Sequence, residues 1–373
     1  MSYVMDGRRG KGSSLSAHRL IERLVKNPDL DVTLVHFDPS DDPLYKEVRE
    51  IIMPQFKLPV ATRFFRTLAF FWKYRNEQFD IIHWFQSRVY PFFWFAPARK
   101  IIVTAHAGGD ITSPGKFPLS RRMFNFVLTH FSHKVDAIVG VSNFGRDEII
   151  EAYGADPKRV YTLIHYNGGA EEFRPLDKNE AREKMRQKHG IDKPYILDVS
   201  RLQPHKNVDT LIKAYIQLRD EHPERRELLV ICGGPYYKHE ITYALARNSK
   251  YTDDIRFVDF VAQEDMNTLY SGAEVFAFPS LSEGFGMPLI EAFAAGTPVV
   301  TSNVASLPEV AGDAGLTVSP LDVSALANAM YRLLTDVELR KSLIQKGLER
   351  SRPFTWDLAA RELCDLYKKI VSD

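Results

Sequence analysis

Two cations and two carboxylates in the second half of the chain have the spacing of a binding site for a phosphorylated, hydroxyl-bearing group. Arg201 and Lys206 follow directly on Tyr195–Ser200, a segment that reads as a strand, and enclose Leu202-Gln203-Pro204-His205. Permanent cations on a Pro-containing turn at a strand's carboxyl end suit an anion with several oxygens, most simply a diphosphate. Taken alone, two solvated surface charges are the commoner explanation. A second strand, Glu274–Phe278, runs into Pro279-Ser280-Leu281-Ser282 and then Glu283-Gly284-Phe285-Gly286-Met287-Pro288-Leu289-Ile290-Glu291. The glycines allow unusual backbone angles and close approach, and Pro288 has the φ of a first helical turn. A helix is therefore expected to begin here, with an N-terminus able to take phosphate. Glu283 belongs to the loop and Glu291 to the first helical turn, eight positions on, so the two carboxylates bracket a bound group. A carboxylate accepts two hydrogen bonds from a vicinal diol, which gives both a sugar-recognition role. The plainer roles are a loop cap for Glu283 and complementarity to the helix dipole for Glu291.

Elements that would position these groups recur along the whole chain. Short runs rich in Val, Ile and aromatics alternate with helix-length segments, the pattern of parallel sheets wrapped by helices. In the first half strands are expected at Tyr3–Asp6, Val32–Phe37, Ile81–Trp84, Lys100–Ala105, Ala137–Val141 and Val160–His165. In the second half they fall at Tyr195–Ser200, Leu228–Cys232, Ile255–Phe260, Glu274–Phe278, Pro298–Thr301 and Gly315–Val318. Between the halves, Asn167 to Lys193 reads as a hinge followed by one helix. The fold class is α/β, two doubly wound Rossmann-like units in tandem. Ligands of such sheets bind outside the carboxyl ends of the strands, so two units facing each other would hold a site in the cleft between them.

The 373 residues fit two domains, and 45% hydrophobic with 26% charged residues is ordinary for a globular protein. A formal charge of +1 gives no sign of a nucleic-acid partner. Cys232 and Cys364 match neither a disulfide scaffold nor a zinc pattern, so a reducing compartment and no structural metal are expected. The amino terminus places Asp6, Arg8, Arg9 and Lys11 before any apolar run, unlike a signal peptide, and no apolar stretch approaches the roughly 20 residues of a membrane span. The charge is uneven, however: residues 1–175 carry 24 Lys/Arg against 19 Asp/Glu. Residues 51–76 contain five of those cations, Lys57, Arg63, Arg66, Lys73 and Arg75, and no acid, with aromatics interleaved. Stretch 57–75 invites an anionic membrane surface as partner. For the aromatics, packing competes, since Phe64, Leu68, Phe71 and Trp72 share roughly one helical face.

Arg201 with Lys206, and Glu283-Gly284-Phe285-Gly286 through Glu291, resemble the donor-site signature of the retaining family 4 glycosyltransferases of GT-B fold (glycosyl transferases group 1). Ala294-Ala295-Gly296-Thr297-Pro298-Val299-Val300 and Leu307-Pro308-Glu309 extend the match over most of residues 195–320. The resemblance implies transfer of a hexosyl group from a nucleotide diphosphate sugar to a glycan or lipid-linked acceptor, with retention, no cofactor and no divalent metal. It assigns the diphosphate to Arg201 and Lys206, the ribose hydroxyls to Glu291, and the donor sugar to Glu283 with the backbone of Gly284, Phe285, Gly286 and Met287. Pro288 and Leu289 complete the donor loop, and the turn at Val261-Ala262 lies beside the base. In the first half the Gly-rich loop Gly7–Ser14 offers Gly10 or Gly12 to the diphosphate and acceptor, and His106 would touch the donor sugar, with Asp110 as a second candidate. The glycine spacing by itself marks only a tight turn, and a lone histidine, one of 11, is more often structural. The architecture implies domains at 1–170 plus 356–373 (acceptor side) and 171–355 (donor side). The protein is expected to be cytoplasmic, and the basic stretch 57–75 suggests peripheral attachment to the inner face of the membrane. A sugar-nucleotide epimerase, a phosphorylase, or a non-catalytic nucleotide-sugar-binding subunit on the same fold are the alternatives.

Overall fold

The structure, a computed structural model, describes residues 13–36, 42–52, 60–85, 92–106, 119–235 and 239–373. The expected strand Tyr3–Asp6 lies outside them. The chain divides into two compact units, Met1–Gly168 with Thr355–Asp373, and Gly169–Phe354.

In the first unit the described elements are α1 (Ser13–Val25), β1 (Thr33–His36), β2 (Arg49–Ile52), α2 (Val60–Lys73), β3 (Phe79–Trp84), β4 (Ala98–Ala105), α3 (Leu119–Phe131), β5 (Ala137–Gly140), α4 (Asn143–Tyr153) and β6 (Val160–Thr162). Strands β3-β4-β5-β6 form one parallel sheet and β1-β2 a parallel pair. Ile101 to Ala105 are all buried, which is why this central strand reads as a continuous apolar run and does not alternate. Ser142 caps α4 by accepting from the Gly145 N–H, and Gly154 ends it in the left-handed region at φ 58°. The chain's last helix, residues Trp356–Ser372, buries Ala359, Leu363, Leu366 and Ile370 along one face and packs on α1.

Two readings need correction here. Strand β2 was not anticipated: only Ile51 of its four residues is buried, so the sequence carries no strand pattern. In α2 only part of the expected face is core. Thr67 and Phe71 are buried, while Leu68 and Trp72, one position further round the helix, are exposed; nothing is described for the side chain of Phe64.

The second unit runs α5 (Lys178–His189), β7 (Tyr195–Val199), α6 (Val208–Glu221), β8 (Leu228–Cys232), α7 (His239–Arg247), β9 (Ile255–Val258), α8 (Gln263–Gly272), β10 (Val275–Phe278), α9 (Met287–Ala294), β11 (Val299–Ser302), α10 (Leu307–Ala311), β12 (Gly315–Val318), α11 (Val323–Thr335) and α12 (Val337–Ser351), and the last helix, α13, returns to the first unit. Its six strands are parallel in the order β12-β11-β10-β7-β8-β9. Leu211, Ile212, Tyr215, Met330 and Leu333 of α6 and α11 cover one face through Ile196, Leu229 and Ile231. On the other face Tyr270 of α8 meets Phe276 of β10 edge-on, and the Tyr195 hydroxyl donates to the Leu269 carbonyl at 2.6 Å.

Two features at the carboxyl end of this sheet are sensitive to single changes. Gly233 follows β8 at φ 144°, where a Cβ would lie 2.0 Å from the Ser200 carbonyl oxygen. Gly233→Ala is expected to cost roughly 3 kcal/mol or more and to lower the melting temperature clearly. Gly234→Ala, whose added Cβ meets nothing closer than 3.7 Å, should change it little. The second feature is Asp198, fully buried in β7 on the same side as Ile196. Ser200 Oγ donates to its Oδ2 at 2.5 Å, and Oδ1 has no partner among the described residues. Burial pushes its pKa up to about 7. The folded chain therefore holds this proton more tightly than the unfolded chain does, and stability falls as pH rises through 7. Relative to its effect at about pH 5, Asp198→Asn should gain on the order of 3 kcal/mol of stability by about pH 8.5. Denaturant titrations at both pH values check this; parallel losses in the two proteins would remove Asp198 as the cause.

Candidate functional site

Strand order reverses between β7 and β10: the chain leaves β7 toward β8 and β9, then returns to the other side of β7. Loops leaving two adjacent strands in opposite directions open a crevice at their carboxyl ends. Arg201 stands exposed just after β7, and Pro204–Lys206 form a 3-10 turn. Asn207 adopts φ 58°, and its Nδ2 donates to the carbonyls of Pro279 at 2.9 Å and Pro320 at 2.7 Å. The Leu281 N–H donates to the His205 carbonyl at 2.7 Å. These bonds tie the loop after β7 to the loop after β10. Lys206 Nζ then meets Glu283 Oε1 at 2.6 Å, with both side chains less than one-fifth exposed, and lies 5.1 Å from the centroid of the Phe278 ring. Residues assigned separate roles from sequence are thus paired here.

Past Glu283 the backbone is held from below. The Ser306 hydroxyl lies 2.9 Å from the Glu283 carbonyl and 2.8 Å from that of Phe285. Phe285 is buried against Phe354, ring centroids 5.6 Å apart. Gly286 turns the chain into α9 at φ 109°, where a Cβ would come within 2.8 Å of Leu307. Pro288 occupies the first turn, Met287 and Pro288 are half-buried, and Leu289 anchors the helix in the core at zero exposure. Glu291 lies in the second turn of α9, not the first, because the helix starts at Met287. Its Oε2 accepts from the Tyr270 hydroxyl at 2.7 Å, and burial raises its pKa to about 7. Tyr270 is itself fully buried, edge-on to Phe173 as well as Phe276. Val261 is core, and Ala262, four residues past β9, precedes α8 as its cap residue. Chemically, Arg201 and Lys206 are cations that suit an anion, and Glu291, held by Tyr270, is a carboxylate that suits hydroxyl donors.

In the first unit His106 follows β4. A ring nitrogen donates to the Phe85 carbonyl, and Nε2 is buried with no partner among the described residues. Burial lowers its pKa to about 4, so at neutral pH the ring is uncharged and Nε2 carries a lone pair that accepts a hydrogen bond. Gly10, Gly12 and Asp110 lie outside the described residues. Among the described residues no group of three or more His, Cys, Asp or Glu is placed to hold a metal ion. Asn207, Tyr270 and Ser306 were not anticipated. Each acts on residues 21 or more positions away, by a bond that no local motif announces.

Known proteins resemble the chain across both units. The profile of glycosyl transferases group 1 matches residues 181–350, and that of glycosyltransferase family 4 matches residues 10–165. The O-antigen chain mannosyltransferase B of Escherichia coli is 30% identical over 278 residues, 74% of this chain and 72% of that protein. A D-inositol 3-phosphate glycosyltransferase of Catenulispora acidiphila is 34% identical over 64% of this chain and 57% of its own length. Among solved structures, sucrose-phosphate synthase from Thermosynechococcus elongatus superposes with a TM-score of 0.77 at 22% identity, covering 99% of this chain and 98% of that one. Anabaena HepE in complex with UDP and glucose gives 0.75 at 17%, with 99% and 98% covered. Two parallel-sheet units, a crevice at the strand-order reversal and this likeness agree: the chain belongs to the group 1 glycosyltransferases, with an amino-terminal half of the family 4 type and a GT-B fold.

Proposed function

We propose that the protein transfers a hexosyl group from a nucleotide diphosphate sugar to a glycan or lipid-linked acceptor, with retention of configuration and without a divalent metal. The observation that carries this reading is the joining of Lys206, Glu283 and the start of α9 at the reversal between β7 and β10. Arg201 and Lys206 would stabilise charge growing on the departing diphosphate, in a place prepared before the reaction starts. Glu291, held by Tyr270, would accept from the ribose hydroxyls, Glu283 would accept from hydroxyls of the donor sugar, and backbone N–H groups of residues 284–287 would donate to its oxygens. Neutral His106 would accept from a sugar hydroxyl through Nε2. In same-face attack the anomeric C–O bond to phosphate breaks as the acceptor oxygen bonds the same carbon, and the acceptor's proton passes to the departing phosphate. That one relative bears the name mannosyltransferase, and another was solved with UDP and glucose, supports a nucleotide-activated hexose as donor. Peripheral attachment at the cytoplasmic membrane face belongs to the same reading.

Arg201→Ala and Lys206→Ala are each expected to lower kcat about a hundredfold or more, by roughly 3 kcal/mol of barrier. Release of nucleoside diphosphate with a lengthened glycan is the readout, and it separates transfer from epimerisation and from binding alone. Turnover should persist in a chelator, and proton NMR of the product should show the donor's anomeric configuration; loss in chelator or inversion defeats the reading. Because protonation removes an acceptor from Glu291, donor KM should rise as pH falls below about 7, by up to about tenfold per unit, and Glu291→Gln should abolish that slope.

A further inference from the structure

Helix α2 buries a narrow face and exposes a wide one of unusual composition. Thr67 and Phe71, four apart, are 0% and 1% exposed, and Phe71 belongs to the first unit's core with Phe93 and Val127. Phe65, Leu68 and Trp72, at spacings of three and four, are 75%, 37% and 69% exposed. They form one apolar stripe along the solvent side, where a helix packed on its own core ordinarily carries polar residues. Arg66 and Lys73 are exposed on the same helix, and Arg75 follows it with its guanidinium 4.6 Å from the centroid of the Trp72 ring. No acid occurs between residues 51 and 76. A protein partner of mixed charge does not account for a helix this one-sided in sign. A fluid, negatively charged and apolar-backed surface matches both parts, the cations and the aromatics between them.

We propose that α2 lies in the plane of an anionic bilayer surface, with Phe65, Leu68 and Trp72 entering the acyl boundary and Arg66, Lys73 and Arg75 meeting anionic headgroups. The inference deepens the transfer reading above by naming the surface on which a lipid-linked acceptor would be met. Its test uses no donor or acceptor, so the two can fail separately. The full chain is floated with vesicles of phosphatidylcholine, and of phosphatidylcholine mixed with phosphatidylglycerol. Partition is expected with the mixed vesicles only, and weakening in high salt. Replacing the three cations together (Arg66→Gln, Lys73→Gln, Arg75→Gln) should weaken it on the order of a hundredfold. Tryptophan emission should shift to the blue on binding, a change missing from Trp72→Phe. Trp84 and Trp356, 3% and 2% exposed, report on the fold alone. Circular dichroism and the thermal melting curve, both unchanged in the triple variant, exclude unfolding. Equal partition with both vesicles, no partition at all, or undiminished binding by a folded triple variant overturns the proposal.

Discussion

Parallel strands that neighbour one another while their chains depart in opposite directions leave a place no crossover helix covers. In the second unit that place lies between β7 and β10, and every other feature of the site follows from it. Because the strands run side by side, a lysine seven residues past one and a glutamate five past the other come within 2.6 Å. The start of α9 follows four residues after that glutamate. A different strand order with the same residues would scatter these groups around the sheet's edge.

The loops that cross this gap are held in one conformation by bonds to their backbones. Asn207 reaches two carbonyls from a left-handed position, and the Ser306 hydroxyl lies within reach of two more beneath the loop that leads into α9. The two amide hydrogens of Asn207 serve the carbonyls of two buried prolines, while the single hydroxyl proton of Ser306 serves one of its two carbonyls at a time. The same bonds spend conformational freedom during folding, so little remains to be lost when a ligand arrives. Tyr270 does for Glu291 what Asn207 does for the loops, from a fully buried position that fixes its ring.

Much of the frame was legible in the residues, for reasons that can be named. Leu228–Cys232 and Gly315–Val318 are the strands expected, since a short run between turn signals has few other uses. Glycine and proline at 284, 286 and 288 marked the start of α9 to within a residue. Pairings remote in sequence were not legible: Lys206 with Glu283 spans 77 positions, and its existence depends on a strand order the residues do not spell out. The exposed side of α2 was misassigned for a different reason. Sequence periodicity gives the angle between side chains but not the rotation of the helix about its axis, and 100° separates Phe71 from Trp72. Polar burial at Asp198 was equally hidden, because an aspartate in a strand ordinarily marks an edge.

The ion pair between Lys206 and Glu283 has one more consequence. Before any ligand arrives, the lysine's charge is already answered by a neighbour, so an incoming anion does not meet a bare cation. It competes with a tethered carboxylate, in the manner of a counterion swap on an exchange resin. On the proposed reading, seating an anion at Lys206 would free the Glu283 carboxylate for neutral hydroxyls, and its return to the lysine would assist departure. A receptor wired this way would trade grip for turnover, holding its most charged guest less tightly than its cations alone would allow.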